Sequence, residues 1–192
     1  MAITGLTSST PEKLLLDAGA FYKNYDFTKT YDKQDVGSLI GATAGGGSFS
    51  AVPQVRKIEV DGGKTNVKQL EVIDGWVVTM TANVKEVTAT TLELALGAFK
   101  ETDATEAGIT GCKRIVGKEN FESTDYAENL TWVGKLSGSE KPVIVSIKNA
   151  MCLNGLSLTM ADKSEAVIPV TVTGHYDLSD LDTPPFEIIY PL

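Results

Sequence analysis

A chain of 192 residues with 42% hydrophobic and 22% charged side chains has enough length for one covered core and lies near the globular average, which excludes disordered and collagen-like classes. The formal net charge of −8 and pI of about 4.7 arise after the first third: residues 1–64 carry seven acids against seven bases, residues 65–192 eighteen against ten. That balance excludes holding nucleic acid by neutralising its phosphates, and residues 1–192 are read as a single domain.

In chain order, the first ten residues lack the basic start and apolar run of a secretory signal. No segment approaches the ~18 apolar residues that cross a bilayer, so no membrane partner is expected. Residues 26–51, with Gly45, Gly46 and Gly47 near their end, read as an extended loop, too rich in glycine for a core strand and long enough to be functional. Residues 54–60 and 65–70 flank Asp61-Gly62-Gly63, whose glycines supply the positive φ of a hairpin turn. That hairpin sets Lys57, Glu59 and Asp61 on one side, with Ile58 and Val60 directed to the core.

Residues 76–84 alternate strictly: Trp76, Val78, Met80, Ala82 and Val84 on one face, Thr79, Thr81 and Asn83 on the other, the period of a half-buried strand. One short helix is expected near residues 89–97, with a Thr90-to-Glu93 capping box and Gly97 as its stop. Residues 99–129 are an acidic loop around a short strand at 112–116. Residues 143–148 are strand-like, and Leu156, Leu158 and Met160 alternate with Ser157 and Thr159. A polar hairpin loop at 161–166 leads to a last alternating strand, with Ile168, Val170, Val172 and Tyr176 against Thr171, Thr173 and His175. The final stretch, about 183–192, combines prolines with apolar residues and reads as an arm that docks somewhere.

Little in this sequence assembles chemistry. His175 is the one histidine, so multi-histidine metal sites are excluded, and its place on an alternating strand makes it a polar-face residue. The glycines at 45–47 lack the lysine of a phosphate loop. Asp177, Asp180 and Asp182 lack the glycine and bidentate glutamate of a calcium loop. Trp76 and Trp132 fall on apolar strand faces and read as core. Asn129-Leu130-Thr131 matches a glycosylation sequon by chance, and Cys112 and Cys152 read as reduced thiols of a protein made in the cytoplasm. No enzyme, cofactor or metal is expected.

The chain resembles the major tail, or tail tube, proteins of long-tailed, non-contractile phages and prophages of Gram-positive bacteria, over about residues 12–190. The resemblance rests on residues 14–20 and the Tyr22-to-Tyr25 strand, on Leu39-Ile40-Gly41-Ala42-Thr43 with Gly46-Gly47-Ser48-Phe49, and on Arg56-Lys57-Ile58-Glu59-Val60-Asp61-Gly62. Leu94-Ala95-Leu96-Gly97, residues 133–138, residues 155–158 with 165–167, His175-Tyr176-Asp177 and Pro185-Phe186-Glu187-Ile188 follow in the family's order. The chain departs from it at Ala44, where many members carry a basic residue.

The resemblance implies a mainly β fold, sandwich or barrel-like, with one short flanking helix. It further implies homo-hexameric rings stacked into a virion tail tube, with tape-measure, chaperone and terminator proteins as partners. Double-stranded DNA would pass without tight binding. With about four strands per subunit at ~4.8 Å spacing, a ring would enclose a backbone channel of roughly 37 Å. Candidate lumen-facing residues are Lys57, Glu59, Asp61, Thr79, Thr81, Asn83, Thr171 and Thr173. Candidate inter-subunit contacts are Leu39, Ile40, Phe49, Phe186, Ile188 and Tyr190. The rival expectation is a β-sandwich binding or adhesion module with a tryptophan platform.

Overall fold

The computed structural model describes residues 5–31, 35–104, 109–160, 162–163 and 165–192. The chain is mainly β, with three antiparallel sheets and one helix. One sheet takes β1 (Ala20–Lys23), β2 (Ser38–Leu39), β7 (Ala127–Lys135), β8 (Pro142–Ala150) and β10 (Phe186–Ile189) in the order β10-β8-β7-β1-β2. The second takes β3 (Thr43–Lys57), β4 (Glu71–Val84) and β9 (Ile168–Thr173) in the order β3-β4-β9, and β5 (Phe99–Asp103) pairs with β6 (Lys113–Gly117). The main core lies between the two larger sheets. Phe21, Leu130 and Ile147 come from one side, and Val78, Met80, Val84, Val170 and Val172 from the other, as the period-two pattern of β4 and β9 requires.

Helix α1 (Ala89–Leu96) buries Leu94 and Ala95 against this core. Its cap lies two residues before the expected one: Thr91 N–H donates to Thr88 Oγ1 at 3.1 Å, and Thr90 and Glu93 form no box. Gly97 ends the helix as expected, with φ of 76° and its N–H donating to Glu93 O at 3.1 Å. That backbone conformation is open to glycine and strained for other residues.

Several expectations are corrected. The glycine stretch is strand, not loop: Gly45 and Gly46, at φ of 74° and 67°, form a bulge inside β3 between the Thr43↔Val84 and Gly47↔Ala82 pairs. Positive φ at a bulge is the position where glycine belongs in a sheet. The hairpin exists, but its return strand is β4 from Glu71; residues 65–70 lie in the connecting loop. Ile58 and Val60 are exposed, not core. The 99–129 region is largely structured, holding β5, β6 and a 3₁₀ turn at Ser123–Asp125. Residues 156–160 form no strand; Leu156 and Leu158 still pack on the core, whereas Met160 is exposed. Residues 161 and 164 of the expected 161–166 loop lie outside the described residues.

The C-terminal arm docks on the sheet of its own chain. Its β10 pairs with β8 from Phe186↔Ile147 to Ile189↔Ile144, and Pro185 is buried. Proline stiffening therefore serves to seat an edge strand of the chain's own sheet.

Candidate functional site

Two features of the β3-β4-β9 sheet stand out. The first is its outer face. The register sets Ser48, Thr81 and Thr171 in one row and Ser50, Thr79 and Thr173 in the next. Thr81 Oγ1 and Thr171 Oγ1 lie 2.9 Å apart, and Asn83 stands opposite Pro169. These alternate positions point away from the core because their neighbours, Met80, Ala82, Val170 and Val172, are fully buried. No ionisable side chain occurs at residues 48–52, 77–83 or 169–173, so the face is polar and uncharged. Among the described residues, β3 has no strand partner on its outer edge, and β9 has only the short bridge of Thr173 to Met151. Both edges offer unpaired backbone groups.

The second feature is a projecting hairpin. Past Val52↔Val77 the β3-β4 ladder continues to Lys57↔Glu71 with a bulge at Gln54/Val55, yet every residue from 52 to 69 is exposed. Val55, Ile58, Val60, Val67, Val72 and Ile73 all show large apolar surface there. Among the described residues the ribbon is held by its own ladder and bonds: Ile58 N–H to Leu70 O at 2.8 Å, Gly63 N–H to Val60 O at 2.9 Å, Lys57 Nζ to Asn66 Oδ1 and the exposed Arg56–Asp74 pair at 3.1 Å. A surface ion pair of this kind contributes little, and a lone two-stranded ribbon is marginal in water. Its base is anchored where Trp76 N–H donates to Tyr176 Oη at 2.8 Å.

Of the residues singled out as lumen candidates, Thr79, Thr81, Asn83, Thr171 and Thr173 share the uncharged face. Lys57, Glu59 and Asp61 do not join them: Lys57 ends β3, and Glu59 and Asp61 sit in the 58–70 loop at the hairpin tip. Among the contact candidates, Leu39, Ile188 and Tyr190 are exposed. Ile40, at 1% exposure, belongs to the core of its own chain. Phe49 and Phe186 pack on each other with ring centroids 5.9 Å apart, and Phe186 also meets Trp76 at 5.3 Å. The projecting ribbon was missed in sequence because its apolar residues fit the same alternation as a buried strand.

The other polar and aromatic groups singled out in the sequence make local bonds and contacts. His175 Nδ1 bonds Asn149 O at 3.0 Å and the ring meets Tyr126 edge-on at 5.1 Å. Trp132 packs on the core while its Nε1–H donates to Ala18 O at 2.9 Å. Asp177 and Asp180 carboxylates accept bonds from the turn around them, which holds both below the usual carboxylate range. On α1, burial and the neighbouring Glu101 raise the Glu93 carboxyl. Glu101 is lowered by its 2.8 Å bond from Lys113. Both cysteines are free thiols, Cys112 exposed and Cys152 buried. Among the described residues no cluster of His, Cys, Asp or Glu is arranged to hold a metal ion. Compared with known proteins, the chain matches no family model and no curated protein.

Proposed function

We propose that this chain is a tail tube subunit of a long-tailed, non-contractile bacteriophage, which forms hexameric rings that stack into the channel for DNA. The observation that carries the reading is the projecting β3-β4 hairpin. It exposes apolar side chains on a ribbon with no packing partner among the described residues, the kind of surface that marks an interaction site. Among the described residues β3 has no strand partner on its outer edge and β9 pairs there only through the Thr173–Met151 bridge, so both edges that bound the uncharged face offer backbone groups able to extend the sheet from copy to copy.

The sheet has three principal strands, against the four that the resemblance implies. Six copies would give roughly 18 strands and a backbone channel of about 27 Å untilted, or about 36 Å at the ~40° tilt usual in barrels. The tilted channel is the one that admits a duplex. In this reading the Thr and Ser hydroxyls line the wall and DNA slides past without a grip, while the tape-measure, chaperone and terminator proteins act on the ends and assembly of the tube.

The test is electron microscopy and sedimentation of the purified protein beside a variant in which residues 59–69 are replaced by a two-residue Asn-Gly turn. Wild type is expected to form rings or tubes, and the shortened variant to stay folded by circular dichroism yet fail to polymerise. A strictly monomeric wild type at high concentration overturns the reading.

A further inference from the structure

A second surface of the chain is built for docking, and it deepens the assembly reading on which it rests. Beside Gly47, where β3 regains its register after the bulge, the two large sheets part to leave an apolar cleft of about 160 Å³, lined by Phe21, Phe49, Met80, Trp132 and Val145 together with Leu15. The cleft is preformed. Met80 and Val145 lie on paired strands, Trp132 is fixed by its bond to Ala18 O, and the wall at Gly47 is backbone, since a Cβ there would meet Thr81 O at 2.1 Å. So apolar a lining rewards an aliphatic occupant whose own backbone bonds are already satisfied.

The chain carries such an occupant. Leu178 is 92% exposed at the tip of the 177–180 turn, whose ends bridge to each other. Asp180 N–H donates to Asp177 O at 3.0 Å. Ser179 N–H and Oγ–H donate to Asp177 Oδ1 at 2.8 and 2.6 Å, and Thr183 N–H to Asp180 Oδ1 at 3.2 Å. The turn thus holds a leucine out in water on a rigid mount and can be desolvated at that tip without orphaning the backbone groups these bonds engage. A rigid knob loses little conformational freedom on docking.

We propose that Leu178 of one copy seats in the Phe21/Phe49/Trp132 cleft of a second copy. Knob and cleft are different surfaces, so the contact is heterologous, the kind that closes rings or builds stacks rather than two-fold dimers.

The test uses full-length protein with Cys112→Ser, which removes the exposed thiol and leaves the buried Cys152. Leu178→Cys and Leu15→Cys are introduced singly and together, both at exposed positions. Under mild oxidation the double variant is expected to give a ladder of disulfide-linked oligomers, an equal mixture of the two single variants a cross-linked dimer only, and each single variant alone neither pattern. Leu178→Asp should raise the concentration at which polymers form by roughly tenfold or more, the equivalent of one lost apolar anchor. Normal polymers without the specific cross-link, or polymerisation unchanged by Leu178→Asp, would overturn the knob-and-cleft contact and leave the assembly reading standing. Absence of polymers in the wild-type protein would overturn both.

Discussion

Thr88, not Thr90, is the residue on which α1 depends. Its hydroxyl satisfies the Thr91 N–H, one of the donors a helix start leaves without an internal partner. Thr88→Ala is expected to lower stability by about 1 kcal/mol in chemical denaturation, whereas Thr90→Ala leaves the cap bond intact; equal losses would put the cap elsewhere. The sequence displayed both threonines. What it could not display is which one takes the extended backbone, at φ of −111° and ψ of 162° for Thr88, because that is decided by where the preceding strand releases the chain. On the same helix, Glu93 titrates against the rest of the fold. Burial and Glu101 raise it, while Lys113 and Lys23 pull the other way, and its Oε1 is buried without a partner. A raised carboxyl holds its proton more tightly folded than unfolded. Its stabilising contribution is therefore complete below the ordinary Glu range and is lost as pH rises through the elevated folded value. Glu93→Gln stays neutral, so its melting temperature is expected to fall behind wild type less, or overtake it, as pH is raised from 4 to 8; parallel curves would remove Glu93 from the pH response.

At the scale of elements, alternation locates β4 and β9 because each buries one face on the core and leaves the other more open, the condition under which period two is written into a sequence, whereas β8, with no exposed residue, reads as a strand from its apolar run. The same rule misjudged the elements at the edges. Gly45-Gly46-Gly47 lowers strand propensity, but the bulge it permits bends β3 over Phe21, and Gly47 lies so close to Thr81 that any side chain there collides with backbone. Gly47→Ala is expected to cost about 1–3 kcal/mol through overpacking, and retention of wild-type stability would mean that the two strands separate freely at this point. The C-terminal residues were legible as apolar and proline-rich, not as a strand, because β10 owes its existence to β8, which ends more than thirty residues earlier. Removing residues 184–192 takes Phe186 from between Phe49 and Trp76 and strips an edge from the five-stranded sheet. The truncated protein is expected to melt well below wild type or to be insoluble; a truncated protein of native stability would show that β10 is dispensable to the body.

For the whole molecule, the tail tube proposal turns most on the placement of the uncharged face. Thr81→Lys with Thr171→Lys puts two cations on one row of that face and none in the core. Tubes of this variant are expected to retain duplex DNA at low salt and release it as salt rises, as counterion release demands, while wild-type tubes retain none. Equal behaviour of the two would place the face on the outside. The candidate site was thus half legible: the threonine rows followed from periodicity, while the hairpin that leaves the body did not, since nothing local distinguishes a valine facing a core from one facing a neighbour. The register also bears on the order in which the chain folds. Strands β3 and β4 are neighbours in sequence, a pairing that forms in microseconds, whereas β1 must wait for β7, whose Trp132 pairs with Phe21 across more than a hundred residues. Contacts of such separation are slow. During synthesis the sticky ribbon therefore exists before the body that should carry it, and each nascent chain passes through an interval in which it is competent to adhere and not yet competent to assemble in order. A cell making this protein in bulk gains from a holding factor that covers residues 52–77 until β7 and β8 have closed the sheet.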